Sequence, residues 1–475
     1  MNTEACPGGT NHTDSDHQTS SCAAGYTGNL CGQCQNGYGT VKPFTCRLCL
    51  KRGTTIFLYT LAALVMLAVT RVLAAFAMAD SGPQALPDQA RPVDICKPLV
   101  LYAQYIFIVG NLGVPWPATL AVPLQAVAWF WSSSSPNSLG LDCVLPRTGM
   151  PIAAQKELFG LCMPLGILAV LLCIEWLYQA LRSRRQLGRG RASAASLRTS
   201  LVPRFVSLFL CVAFLFLPTW IHSAMSLFAC IPLDAEVSLP YMADAVGSFW
   251  AQDMSERCYA LGGYHRTYAL GLGIPLLMLL CFILPAGLLA FMWFSRRSGR
   301  LGTEAFRQQY GFLCRSWRAE VCWWEAVQVL STIVLVMIGT FGFALGPYYQ
   351  SLVITAALGI SGVLLLAVRP HNCAAAGTVS LQSVGALITT SFSALTFLSY
   401  RNVTPAYGYT MFMGAVVLLV NVAFVLSAVW KLLRLIEWGS VAHIACSLFR
   451  VLQGIFAPLR QAGGQQRVAP HSQQK

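Results

Sequence analysis

The sequence predicts an all-α polytopic membrane protein with a small disulfide-rich extracellular module at its amino terminus. Three observations predict it. Between Thr54 and Trp430 about nine apolar stretches recur, most of them near the roughly 20 residues that cross a hydrocarbon core. The 475 residues are 56% hydrophobic and 11% charged, with the charges gathered in connecting segments, unlike the surface of a soluble domain. The first 53 residues are a different material, polar and dense in cysteine. A backbone in lipid must satisfy its own hydrogen bonds, and a helix does so within one segment, so the spans are read as helices.

In chain order the spans are placed near 54–79, 98–117, 158–181, 201–223, 268–294, 321–343, 348–368, 378–399 and 408–430. The loop 182–200 carries Arg182, Arg184, Arg185, Arg189, Arg191 and Arg198. The loop 295–320 carries Arg296, Arg297, Arg300, Arg307, Arg315 and Arg318. Positive charge beside spans marks the cytoplasmic side. With nine spans both loops lie inside only if the amino terminus is extracellular and the carboxyl terminus cytoplasmic, at the plasma membrane. The net charge of +14 is then a membrane signature, expected to meet anionic inner-leaflet lipid and not nucleic acid. The triplets starting at Asn11 and Asn402 both fall outside in this topology, as glycan acceptors must.

Residues 1–53 contain Cys6, Cys22, Cys31, Cys34, Cys46 and Cys49. A segment too small to bury a core is stapled when it lies outside the cell, so three disulfides among these six are expected, in one of 15 pairings. Zinc is the competing reading, because Cys31-x2-Cys34 and Cys46-x2-Cys49 have ribbon-like spacing. It would leave Cys6 and Cys22 unused. Cys143, Cys230 and Cys258 also fall outside, and a Cys230–Cys258 bond closing the loop between the fourth and fifth spans is favoured.

The run Gly25-Tyr26-Thr27-Gly28 through Cys31, Cys34 and Gly37-Tyr38-Gly39 resembles the frame of epidermal-growth-factor-like and ephrin-receptor-like modules. Its glycines allow turns with positive φ. Further along stand Lys97-Pro98-Leu99-Val100-Leu101-Tyr102, Val114-Pro115-Trp116-Pro117, Ser138-Leu139-Gly140-Leu141-Asp142-Cys143, Tyr310-Gly311-Phe312-Leu313, Cys322-Trp323-Trp324-Glu325 and Arg369-Pro370-His371. In this order the motifs resemble the membrane tail of large algal and protist cysteine-rich surface proteins, a group described as G-protein-coupled-receptor-related or likened to transient-receptor-potential channels. The resemblance runs from about Cys22 to Trp430 and implies architecture more firmly than activity. The chain departs from that pattern where Val329-Leu330-Ser331 stands in place of an arginine-lysine pair, and in having no long repetitive ectodomain. With no apolar leader before Cys6, a truncated amino terminus is one expectation.

Polar residues at membrane depth are the candidate functional residues, because a charge there costs about 2.5 to 3.5 kcal/mol on insertion scales and turns toward protein or water. Arg71, two thirds along the first span, is expected to snorkel to the cytoplasmic headgroups. Glu325, after Trp323-Trp324, is expected to be a solvated boundary carboxylate. Its sharper reading joins it to Gln328 and Thr332 in one polar stripe on the sixth span, facing the hydroxyl-rich eighth span from Thr378 to Thr396 or lining a water path. Gln104 and Asn111 share a face of the second span, which Pro115-Trp116-Pro117 must end. The stretch 118–131 is too short to cross and turns back or lies at the outer interface. His222, near the outer end of the fourth span, is expected to be a satisfied interfacial histidine.

After the last span, 431–460 is predicted to form an amphipathic helix on the inner leaflet and 461–475 a disordered tail. Cys314 and Cys446 are palmitoylation candidates. No phosphate loop, metalloprotease helix or nucleophile elbow occurs, so no catalytic residue, cofactor or metal is assigned. Two function classes remain. A receptor or adhesion-type surface protein would use the outer module to bind an extracellular ligand or join an ectodomain. A cation channel would conduct along the sixth and eighth spans.

Overall fold

The computed structural model describes residues 5, 22–28, 31–42, 45–79, 90–117, 119–121, 123–124, 141–145, 149–187, 194–232, 247–399 and 407–436. Cys6, Asn11, Asn402, Cys446, most of 118–131 and the segments predicted as amphipathic helix and tail after 436 lie outside the described residues.

The architecture is a helix bundle. Its long helices are α1 (Arg52–Ala79), α2 (Pro92–Gly110), α3 (Ile152–Leu187), α4 (Ala194–Ser226), α5 (Tyr264–Arg297), a short α6 (Glu304–Cys314), α7 (Trp324–Phe341), α8 (Gly346–Val368), α9 (Ala374–Ser399) and α10 (Tyr407–Leu435). Eight helical stretches are long and apolar enough to cross a membrane. Seven are single helices, and the eighth, Trp324–Val368, holds both α7 and α8. This stretch is where the expected count of nine and the observed eight diverge. Residues Gly342–Leu345 keep a 3-10 turn where a loop was expected, so helix runs from one span directly into the next.

The α7–α8 stretch is nonetheless a hairpin. Gly346 turns the chain with φ of +78°, a region that L side chains avoid. The Gln350 amide then donates to the carbonyls of Ile338 (3.0 Å) and Gly339 (3.2 Å) in the last turn of α7, the first of which also accepts the Gly342 backbone N–H. Trp324 at the start of α7 packs in one cluster with Leu365 near the end of α8, so the two helices run antiparallel.

Helix α2 begins six residues before the predicted span. Pro92 occupies the first turn, where a missing N–H costs nothing, and Asp94 accepts the Arg91 backbone N–H at 3.2 Å. That early start places Lys97 inside the helix. α2 is also the hub of the bundle. Ile95, Tyr102, Ile106 and Val109 pack with α7, α8, α9 and α10, whereas Val93, Val100 and Phe107 pack with α1, α3, α4 and α6. By contrast α5 is peripheral, with Leu270, Met278, Phe282, Ile283, Trp293 and Phe294 all exposed. Polar groups turn inward and large apolar side chains outward, the distribution suited to a lipid surround.

One end of the bundle carries the disulfides. The amino-terminal module is two small antiparallel hairpins, β1 (Tyr26–Thr27) with β2 (Gln33–Cys34) and β3 (Tyr38–Lys42) with β4 (Thr45–Leu48). Gly25, with φ of +92°, lies against the Tyr38 ring, where a Cβ would sit 2.6 Å from a ring carbon. Cys22 bonds Cys31 and Cys34 bonds Cys46. The third bond corrects the expectation of a self-contained module. Cys49 pairs with Cys143, 94 residues away, because the end of β4 lies beside the turn Leu141–Cys143, where the Thr40 backbone N–H donates to Asp142 at 2.7 Å. The cysteines proposed as zinc ligands are all engaged in disulfides. Cys230–Cys258 forms as expected and joins the edges of a three-stranded sheet, β5 (Cys230–Pro232), β6 (Ser248–Trp250) and β7 (Asp253–Arg257). The module touches this sheet too, through Gln33 and Asp253 at 3.0 Å.

Cys143→Ser is expected to lower stability by about 2 to 4 kcal/mol, the usual worth of a native cross-link, and to open residues 22–50 to protease while the helices stay protected. Non-reducing peptide mapping checks the pairing directly, and a Cys49 peptide linked to any cysteine other than Cys143 contradicts it.

Candidate functional site

The most unusual chemistry lies at the opposite end, where α2 starts and α7 starts. Lys97 is 1% exposed and Glu325 4%, and the ammonium reaches the carboxylate Oε2 at 3.1 Å. The same oxygen accepts the Trp317 indole N–H at 2.8 Å. The ammonium also lies 4.3 Å from the centre of the Phe312 ring and within 6 Å of Phe214 and Trp317. Glu325 occupies the first turn of α7, where the helix dipole favours an anion.

Around this pair three segments are tied together. Ser316 donates to Asp94 at 2.7 Å, the Arg318 N–H donates to the Pro370 carbonyl at 2.8 Å, and the Asn372 N–H donates to the Ser316 carbonyl at 3.1 Å. Both nitrogens of the buried His371 ring lack a hydrogen-bond partner, and the ring lies 4.8 Å from that of Trp317. Burial, and then the Lys97 charge, push the imidazole down to about 4.

Glu325 is therefore not the solvated boundary carboxylate that its flanking tryptophans suggested. The polar stripe exists but faces α2 and α4, not the hydroxyl-rich α9: Thr332 hydrogen-bonds Tyr105 at 2.8 Å. Gln104, Phe214, Pro218, Glu325, Gln328 and Thr332 line a cavity of about 20 Å³, the room one water needs. The Gln328 Oε1 atom is buried there without a protein partner. Pro218 explains part of this site. Lacking an N–H, it leaves the Phe214 carbonyl four residues earlier without its helical donor, and Gln104 supplies the replacement at 3.2 Å while also reaching Leu215 at 3.0 Å. Asn111, expected on the same face as Gln104, instead ends α2 exposed, its N–H donating to the Phe107 carbonyl.

Other interior polar groups are also matched pairwise. Tyr102 donates to Asn421 on α10, which donates to Thr390 on α9 at 2.9 Å. Thr355 and Ser391 join α8 to α9 at 2.7 Å, and His222 meets Thr340 at 3.0 Å, a satisfied histidine as expected. Arg71 does more than snorkel. It shares the buried Glu175 carboxylate with Arg204, at 3.4 and 2.7 Å. At the disulfide end Lys156 pairs with Asp142, and Ser226 donates to Glu157 at 2.8 Å. Cys230, Cys258 and His265 converge within 4.8 Å, a spacing that could hold a metal, but the two sulfurs are bonded to each other. Cys314 donates to the Tyr310 carbonyl, and burial pushes its thiol up to about 11, which disfavours the acylation suggested for it.

Sequence reasoning missed Lys97, Asp142, Lys156, Glu175, Arg204, Trp317 and Asn421. A carboxylate inside a predicted span, six residues from its end, was a readable signal at Glu175, and its partner Arg71 was already singled out. No family model, curated protein or solved structure matches the chain.

Removing one partner of the central pair, by Lys97→Met or Glu325→Gln, is expected to cost about 3 to 5 kcal/mol, because the other charge is left buried. The double variant should recover most of that loss in denaturation of the detergent-solubilised protein. Strict additivity of the two losses contradicts a direct pair. His371 adds a pH dependence. Its folded value near 4 lies below the ordinary 6.5, so its contribution is fully present above about pH 6.5 and is lost as pH falls toward 4. His371→Phe should flatten the fall of the unfolding midpoint across that window.

Proposed function

We propose that the chain is a non-catalytic, multi-pass surface protein of receptor or adhesion type, the class its motif order resembles. It crosses the membrane nine times, with α7 and α8 as separate passes, and it has an extracellular disulfide-rich head and a cytoplasmic carboxyl end. The disposition of charge supports this orientation: the four disulfides gather at one end of the bundle, and the arginines of 295–320 lie near the Lys97–Glu325 end, with the sequence segment 182–200 equally basic. The module is the EGF-like element that meets a ligand or an ectodomain, and in this orientation the sequence triplets at Asn11 and Asn402 are the glycan acceptors.

The observation that carries the choice of class is the interior of the bundle. Among the described residues, Lys97 pairs with Glu325, Tyr105 with Thr332, and Asn421 with both Tyr102 and Thr390, while the hydroxyls of α9 mostly donate to carbonyls of their own helix; the cavity between α2, α4 and α7 has room for about one water. A conduction path needs a continuous row of available polar groups. A receptor needs a mechanical link from its head to its helices, and here the link is Thr40 to Asp142 to Lys156 on α3, reinforced by Cys49–Cys143.

The cation-channel alternative rests on Gln328, whose unpartnered oxygen could line a hydrated path. Reconstitution in liposomes separates the two. The expected result is no cation flux from the wild-type chain, with an amino-terminal tag accessible from the outside of cells and a carboxyl-terminal tag only after permeabilisation. Flux that disappears in the Lys97→Met/Glu325→Gln double variant assigns the channel class, and both tags on one side overturns the orientation.

A further inference from the structure

We propose a binding site for the phosphate headgroup of an anionic phospholipid at the junction of α1, α3 and α4, built from Arg71, Glu175 and Arg204. The proposal rests on the reading that these helices cross a membrane. Glu175 is 2% exposed, and its carboxylate is saturated by protein donors: Arg204 at 2.7 Å and Gln179 at 3.1 Å on one oxygen, Arg71 at 3.4 Å on the other. Two guanidinium groups face this single carboxylate, so one positive charge remains uncompensated.

The two arginines are not sealed in with the carboxylate. Their side chains are 24% and 29% exposed, against 2% for Glu175. A guanidinium carries five N–H donors, and one bond to Glu175 leaves most of them to be filled from outside. Depth decides what can fill them. Arg204 lies two residues inside the apolar stretch that begins at Val202, and Glu175 lies six residues, about 9 Å of helix, before the stretch ends at Leu181. Trp176, beside Glu175, is 59% exposed, so this turn of α3 reaches the surface of the bundle.

At that depth the available acceptors are the phosphate oxygens of lipid, and the planar fork of arginine matches a phosphate with two parallel bonds. Glu175 holds the two forks in place and lowers their net charge to a level the apolar surroundings tolerate. The shared chemistry is a phosphate oxyanion, and the lipid source is favoured because both arginines are partly exposed within membrane-length apolar helices and neither lines the interior cavity.

The test uses the full chain purified in a neutral detergent, with binding followed by thermal shift and by native mass spectrometry. The probes are dioctanoyl phosphatidylglycerol, dioctanoyl phosphatidylcholine and inorganic phosphate. Phosphatidylglycerol should stabilise the wild-type chain at lower concentration than phosphatidylcholine, and inorganic phosphate should have little effect. Glu175→Gln removes the competing carboxylate, so phosphatidylglycerol binding should tighten about fivefold, the effect of one more unit of positive charge near a membrane surface. Arg204→Lys keeps the charge and the contact to Glu175 but loses the fork, and should weaken binding with the fold retained. An equal response to both lipids, or an Arg204→Lys chain that binds as wild type, overturns the site. Inorganic phosphate matching the lipid assigns a free anion and overturns the lipid source. A chain that stays dispersed without detergent overturns the membrane reading itself, a result independent of headgroup preference.

Discussion

A buried ammonium must find a counter-charge, and in this protein the end of the bundle opposite the disulfides is arranged around that requirement. Moving either ion of the Lys97–Glu325 pair from water into a protein interior costs several kcal/mol even after relaxation, and good geometry with further hydrogen bonds is what offsets it. Trp317 completes the carboxylate, and Phe312 lies under the ammonium at 4.3 Å. These contacts fix the start of α2 against the start of α7 and hold 312–317 between them. The segment 368–372 is drawn in by backbone bonds to Ser316 and Arg318. The hub position of α2 follows, since a helix anchored there can pack one face on α7 to α10 and another on α1, α3 and α4.

The disulfide-bearing end obeys a different constraint. The described part of the head is two short hairpins with little apolar area, so covalent bonds replace a core. Cys49–Cys143 does more than close a loop within the head, because it ties the head to the segment leading into α3. Asp142 reinforces the same junction from both sides, accepting from Thr40 and pairing with Lys156. Movement of the head is thereby coupled to α3, whose Glu175 meets α1 and α4 nearer the other end. The two ends are joined through α1, which continues from the head, and through α3, which is cross-linked to it.

Much of the architecture was legible in sequence, and particular residues show why. The apolar stretches gave helices α1, α4, α9 and α10 close to their observed bounds, because length and hydropathy are local properties. Cys230–Cys258 was legible because the two cysteines flank the one segment between the fourth and fifth predicted spans. His222 was read as satisfied, and it is. Glu325 was misread for an instructive reason. Its neighbours Trp323 and Trp324 resemble an interface belt, whereas its true surroundings come from Lys97, 228 residues earlier, which the predicted span boundary had placed just outside the helix.

The order of helices, their apolar outer faces, the cysteine-rich character of the head and the side on which basic loops gather were determined by the sequence itself, since each depends on residues near one another along the chain. Only the tertiary structure decided that Cys49 bonds Cys143, that Lys97 answers Glu325, that two arginines share Glu175 and that Asn421 bridges Tyr102 to Thr390. The physical reason is that a charge or thiol at membrane depth states a need for a partner without naming it. Which candidate meets the need depends on helix packing, and packing is set by the shape of faces contributed from distant parts of the chain.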